Sequence, residues 1–154
     1  MKKILVIEDD ANIRESLVEL LEMRSYHVIA AENGIEGLRL AMDGKPDLIL
    51  CDVMMPGMTG YEVIEKVRAD AALVAIPFIF LSAKAMEQDI LQGKKLGANS
   101  YLTKPFRASE LFSVVDDLLN NRRGGNSGLG QLIDNVQILA DQLVGLLMPR
   151  WTVA

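Results

Sequence analysis

Polar side chains able to do chemistry stand in this sequence where short apolar runs stop. Glu8 and Asp9, with Asp10 behind them, follow Ile4-Leu5-Val6-Ile7, and Asp52 follows Leu48-Ile49-Leu50-Cys51. Ser82 follows Phe78-Ile79-Phe80-Leu81, and Lys104 comes just past Ser100-Tyr101-Leu102-Thr103. Carboxylates gathered within ~4 Å of each other repel by a few kcal/mol each at an effective dielectric of ~20, unless a cation lies between them. Oxygen donors without imidazole or thiolate select a hard ion, and a small number of them suits Mg²⁺ (or Mn²⁺), which keeps part of its water. A cation beside Asp52 would serve one reaction class well, the transfer of a phosphoryl group onto the carboxylate. Asp52 would be the nucleophile and form an acyl phosphate. The cation and Lys104 would neutralise charge on the equatorial oxygens, and Ser82 could hydrogen-bond another.

These residues meet only if the chain between them folds in one way. The three apolar runs show no period-two alternation, which is how strands read when both faces are covered, as in a parallel sheet. His27-Val28-Ile29-Ala30-Ala31 and Ser100–Thr103 are weaker strand candidates. Ile13, Leu17, Leu20 and Leu21 mark one face of a helix, and Leu111, Val114, Val115, Leu118 and Leu119 mark another. Asn33 with Glu36 and Thr59 with Glu62 have the spacing of capping boxes. The stretch from Lys84 to Leu96 carries few apolar residues (Met86, Ile90, Leu91, Leu96) and predicts a helix held by a thin stripe, able to move at low cost. The expectation is β-α repeated five times over residues 1–122. Right-handed crossovers then place helices on both faces of a five-stranded parallel sheet, with the polar residues along its carboxyl edge.

Composition narrows the function. Half of the 154 residues are hydrophobic and 24% are charged, enough apolar material for one ordinary domain with a real core. Sixteen Lys plus Arg against 21 Asp plus Glu give a net charge of −5, which disfavours direct contact with nucleic acid. One cysteine excludes an internal disulfide, and one histidine excludes a His-rich metal site or a His-dependent pair within the chain. The opening residues are too weakly apolar for a signal peptide, and no apolar run approaches the ~18 residues that cross a bilayer. A cytoplasmic, membrane-free domain is expected.

Four segments together resemble the receiver domain of bacterial two-component response regulators: residues 3–10, Leu48 to Gly60 (Leu-Ile-Leu-Cys-Asp-Val-Met-Met-Pro-Gly-Met-Thr-Gly), Leu81-Ser82-Ala83-Lys84, and Gly97 to Phe106 with Lys104-Pro105-Phe106. The resemblance covers residues 2–122 and implies a flavodoxin-like doubly wound sheet of order 2-1-3-4-5. It implies that Asp52 is the phosphoacceptor, that Asp9 binds the metal directly and Glu8 through water, and that the Met54 backbone carbonyl is a further ligand. It gives Ser82 and Lys104 their catalytic roles, follows Lys104 with a proline that is usually cis, and places Tyr101 as a switch aromatic that swings inward with Ser82. Small Ala83 leaves the site open. The partner implied is a sensor histidine kinase or phosphotransfer protein. The domain would be no enzyme beyond its own phosphorylation and dephosphorylation.

Plainer readings compete at single positions. Glu8-Asp9-Asp10 could simply cap a helix, Asp52 could be a surface acid, and a buried Tyr101 could be ordinary packing. A haloacid-dehalogenase-type hydrolase would need an acid two residues after the nucleophile, where this chain has Met54. The tail is a separate matter. Residues 1–123 read as the receiver, 124–128 as a Gly-rich linker and 129–154 as a helical extension. Leu129, Leu132, Val136, Leu139, Leu143 and Leu146 form a heptad seam with few flanking charges, open to three readings: a homodimer, a docking helix, or a segment that frays. The fourth helix, fifth strand and fifth helix offer another dimer face. The 31 residues after Arg123 are too few for a DNA-binding domain with its own core. The alternatives are a phosphorylation-independent dimeriser and the receiver piece of a longer regulator.

Overall fold

Ile4 and Val6 bury themselves on one side of β1 (Lys3–Ile7), and Leu5 and Ile7 on the other. That two-sided burial recurs in β3 (Leu48–Asp52) and β4 (Phe78–Ser82), which have no exposed residue, so the unbroken apolar runs are central strands of a covered sheet. The computed structural model describes residues 1–84 and 86–120. Its remaining elements are α1 (Ala11–Met23), β2 (His27–Ala31), α2 (Gly34–Gly44), α3 (Gly60–Ala69), α4 (Glu87–Lys95), β5 (Ser100–Thr103) and α5 (Ala108–Asn120).

The strands are parallel in the order β2-β1-β3-β4-β5. On one face Leu17 and Leu21 of α1 and Leu111, Val115 and Leu119 of α5 pack over Ile4, Val6, Leu48, Leu50, Ile79 and Leu81. On the other, Ala41 of α2, Val63, Ile64 and Val67 of α3 and Ile90 of α4 cover Leu5, Ile7, Ile49, Cys51, Phe78 and Phe80. The fold is the flavodoxin-like one with helices on both faces. The connections leave β1 in one direction and β3 in the other, so the ends of these two strands flank the crevice at the switch in order.

Capping follows the sequence. Asn33 accepts from the Glu36 N–H (2.8 Å) and Thr59 from the Glu62 N–H (3.3 Å). By contrast α4 starts at Met86 with no side-chain cap and buries only Ile90 and Gly93, the thin attachment its polar sequence implies. Gly93 lets it ride close: a Cβ there would lie 3.0 Å from ring carbons of both Phe80 and Tyr101. Among the described residues no helix is long and apolar enough to cross a membrane. The linker expected at 124–128, the helical extension at 129–154 and the heptad seam lie outside the described residues.

A carboxylate and lysine site at the carboxyl edge of the sheet

Parallel pairing sets the site's geometry. Ile7 is in register with Cys51, so the residues that follow them, Glu8 and Asp52, leave the sheet side by side. Lys104 follows β5, two strands from β3, and its backbone N–H continues the pairing by donating to the Ser82 carbonyl (2.8 Å). From there its side chain crosses the end of β4. Nζ donates to Glu8 Oε2 at 3.0 Å and to Asp52 Oδ2 at 3.2 Å. The Lys104–Pro105 peptide is cis, as the resemblance implied.

The acids at 8–10 divide their work. Asp10 accepts from the Ile13 N–H (3.0 Å) and is the N-cap of α1, so the plain capping reading holds for it. Asp9 is exposed and points its carboxylate toward the other two: oxygens of Glu8, Asp9 and Asp52 lie within 4.8 Å of one another. Glu8 is 1% and Asp52 6% exposed.

Burial pushes the Glu8 carboxyl up to about 7, with the nearby Asp52 charge adding to the rise and Lys104 opposing it. Burial works to lower Lys104, but its hydrogen bond to Glu8 and the charges of Asp52 and Glu8 outweigh that and raise it. One ammonium among three acids therefore leaves negative charge uncompensated. The residues fit a hard divalent cation: every donor is a carboxylate oxygen, the oxygens converge, and the site's electrostatics call for positive charge.

The loop after β3 is shaped around Asp52. The Met54 N–H donates to Asp52 Oδ1 (3.3 Å), while the Met54 side chain is exposed. Gly57 turns with φ +78°, and Gly60 donates to the Val53 carbonyl (2.8 Å). A Cβ at Gly60 would fall 2.1 Å from the Asp52 carbonyl oxygen, so only glycine lets α3 begin against the end of β3.

Ser82 ends β4 fully buried, and its Oγ accepts from the Lys84 N–H (3.1 Å). Ala83 beside it is exposed. Tyr101 is already turned inward, 8% exposed, where the sequence reading has it moving inward on activation. Its hydroxyl donates to the Lys84 carbonyl (2.9 Å), its ring lies 5.8 Å from that of Phe80, and burial pushes its ionisation up to about 12.

Sequence reasoning missed Arg14, whose Nη1 donates to the Glu8 carbonyl (2.8 Å). The only signal was an arginine in the first turn of a helix, where the helix dipole disfavours a cation. It also missed Arg68 of α3, which donates to the carbonyls of Val74, Ile76 and Gly97 and ties the loops before β4 and β5 together.

The model of the response regulator receiver domain matches residues 4–116. The phosphate regulon transcriptional regulatory protein PhoB of Pseudomonas aeruginosa is 40% identical over 126 residues, 82% of this chain and 55% of that protein. Protein PilH of the same organism is 37% identical over 119 residues, 77% of this chain and 98% of PilH. This chain thus spans about half the length of PhoB and nearly all of PilH. Among solved structures, chemotaxis protein CheY4 of Vibrio cholerae superposes with a TM-score of 0.74 at 32% identity, covering 77% of this chain and 99% of that one. A receiver domain of a signal transduction histidine kinase from Syntrophus aciditrophicus gives 0.75 at 32% identity, covering 82% and 96%. With fold, strand order and family model in agreement, this chain belongs to the response regulator receiver family.

Proposed function

We propose that this domain is a phosphorylation-driven signalling switch in which Asp52 accepts a phosphoryl group from the phosphohistidine of a sensor histidine kinase or phosphotransfer protein, in a Mg²⁺-dependent reaction in the cytoplasm. The observation that carries the reading is the Lys104 ammonium held between Glu8 and Asp52 at 3.0 and 3.2 Å, beside a third carboxylate. An Asp52 carboxylate oxygen attacks phosphorus, the phosphorus–nitrogen bond breaks with its electron pair going to nitrogen, and the imidazole, protonated beforehand on its other ring nitrogen, leaves as the neutral histidine. Hydrolysis reverses the state: water adds and inorganic phosphate departs. Lys104 neutralises a phosphoryl oxygen as charge shifts, and the buried Ser82 hydroxyl donates to another. The cation, when bound, supplies the remaining charge neutralisation. Asp9 and Asp52 would hold it directly with the Met54 carbonyl, and Glu8 through water.

The added phosphoryl brings about −1.5 to −2 charges. Ser82, which now accepts from Lys84, would turn toward the new oxygens. The contact of Tyr101 with the Lys84 carbonyl would change with it, and α4, which has no side-chain cap, would repack with β5 and α5. Output then runs through protein contacts, including a homodimer formed by the α4-β5-α5 face or by residues 129–148. The whole-protein role of PhoB, of which the match covers 55%, bears on that output only by analogy.

Incubation with Mg²⁺ and acetyl phosphate followed by intact mass is the test. A single phosphoryl adduct, absent in Asp52→Asn and absent with chelator, is the expected result. No adduct on the wild-type chain, or an adduct that survives Asp52→Asn, refutes it. Amide spectra with beryllofluoride should shift over residues 82–106, and solution mass should report any dimer.

A further inference from the structure

The carboxylates of Glu8 and Asp9 reach the site from the short connection between β1 and α1, residues 8–10. One residue holds every carbonyl of that connection. The Arg14 backbone N–H donates to the Asp10 carbonyl at 2.9 Å, and its Nη1 donates to the carbonyls of Glu8 at 2.8 Å and Asp9 at 3.4 Å. On local grounds arginine is a poor choice here. It lies in the first turn of α1, where the positive end of the helix disfavours a cation and no acid of that turn offsets it. The side chain folds back over the helix start instead of extending into solvent, which spends its rotamer freedom on two main-chain acceptors.

We propose that Arg14 is a positioning residue for the cation site: by gripping the carbonyls of Glu8 and Asp9 it fixes the backbone from which both carboxylates converge on Asp52. The inference rests on the reading of that acidic cluster as a divalent-cation site. Its consequence has a sign opposite to that of simple charge. Removing a positive charge close to a cation site lessens repulsion and should tighten metal binding. Removing a residue that orients the ligands should weaken it, by about tenfold or more on the scale of groups that position metal ligands.

The experiment titrates Mn²⁺ into the full chain and follows the free ion by electron paramagnetic resonance, comparing wild type with Arg14→Ala, Arg14→Lys and Asp9→Asn. Arg14→Ala should bind Mn²⁺ at least about tenfold more weakly. Arg14→Lys, which keeps the charge but replaces the planar fork with a point donor, should fall between. Metal-free urea unfolding shows whether each variant is folded. If Arg14→Ala is not, Arg14→Lys carries the comparison, with weaker Mn²⁺ binding than wild type expected. An Arg14 variant that binds Mn²⁺ as tightly as wild type, or more tightly, overturns the proposal. If wild type and Asp9→Asn bind equally weakly, the cation reading itself has failed and this inference falls with it. Loss in Asp9→Asn with none in the Arg14 variants sinks the inference alone.

Discussion

Glu8→Gln should stabilise the metal-free protein strongly at pH 8 and only slightly at pH 5. The Glu8 carboxyl is pushed from 4.5 to about 7, chiefly by burial. Between those values the folded chain holds a proton that the unfolded chain has released, so stability falls as pH rises through the window. Below 4.5 both states are protonated and nothing is lost; above 7 the whole cost is present. The displacement corresponds to about 3 kcal/mol. The carboxamide has almost the carboxyl's shape, still offers an oxygen to Lys104, and does not titrate. Other groups titrate in both proteins, so the difference between the two stability curves isolates Glu8. Urea unfolding with chelator at pH 5, 6, 7 and 8 should show the wild type falling below the variant by up to about 3 kcal/mol, a midpoint gap of about 1–2 M urea. Mg²⁺ should narrow the gap at pH 8, because it binds the folded wild-type site. A variant less stable than wild type at pH 8, or a gap that does not change with pH, would refute the reasoning.

Removing Lys104 has the opposite sign. Lys104→Ala leaves Glu8 and Asp52 buried with no ammonium between them and should cost about 3–5 kcal/mol at pH 8, less at pH 5 where Glu8 is neutral, with part recovered by Mg²⁺ in the same urea assay. Gly60→Ala places a methyl 2.1 Å from the Asp52 carbonyl oxygen, so α3 must back away from the end of β3. A loss of about 3 kcal/mol in thermal unfolding should accompany slower phosphorylation by acetyl phosphate. Arg68→Ala strips the carbonyls of Val74, Ile76 and Gly97 of a charged donor. It should cost about 2–3 kcal/mol, with amide exchange speeding first around residues 73–77 and 97–99.

What the sequence makes legible depends on how many neighbours a residue answers to. The central strands answer to both faces of the sheet at once, so Ile4–Ile7, Leu48–Cys51 and Phe78–Leu81 stand out as unbroken apolar runs. Edge strand β2 buries only Ala31 fully, and its pattern is correspondingly diluted. The meeting of Glu8, Asp52 and Lys104 is legible because parallel pairing brings strand ends to one edge whatever the loops do. Tyr101 is different: its identity suggests a switch, but whether the ring faces in or out depends on packing against Phe80 and Gly93, which no local pattern encodes. Arg14 and Arg68 are illegible for a simpler reason. Both bind main-chain carbonyls, and a carbonyl is present at every residue, so no partner residue type marks the contact.

The same contacts divide the site into a fixed side and a compliant one. Glu8 follows β1 directly, is 1% exposed, and belongs to a turn whose carbonyls Arg14 holds. Asp52 ends a strand buried along its whole length and takes a backbone N–H from its own loop. A charge added at Asp52 therefore meets little that can yield on the β1 side. On the other side Ser82 and Tyr101 each make a hydrogen bond to Lys84, and α4 beyond lacks a side-chain cap. Strain in a packed domain is relieved where the fewest apolar contacts must be broken. Under the proposed switch, a change at Asp52 would run through Ser82 and Tyr101, both bonded to Lys84, toward the uncapped α4.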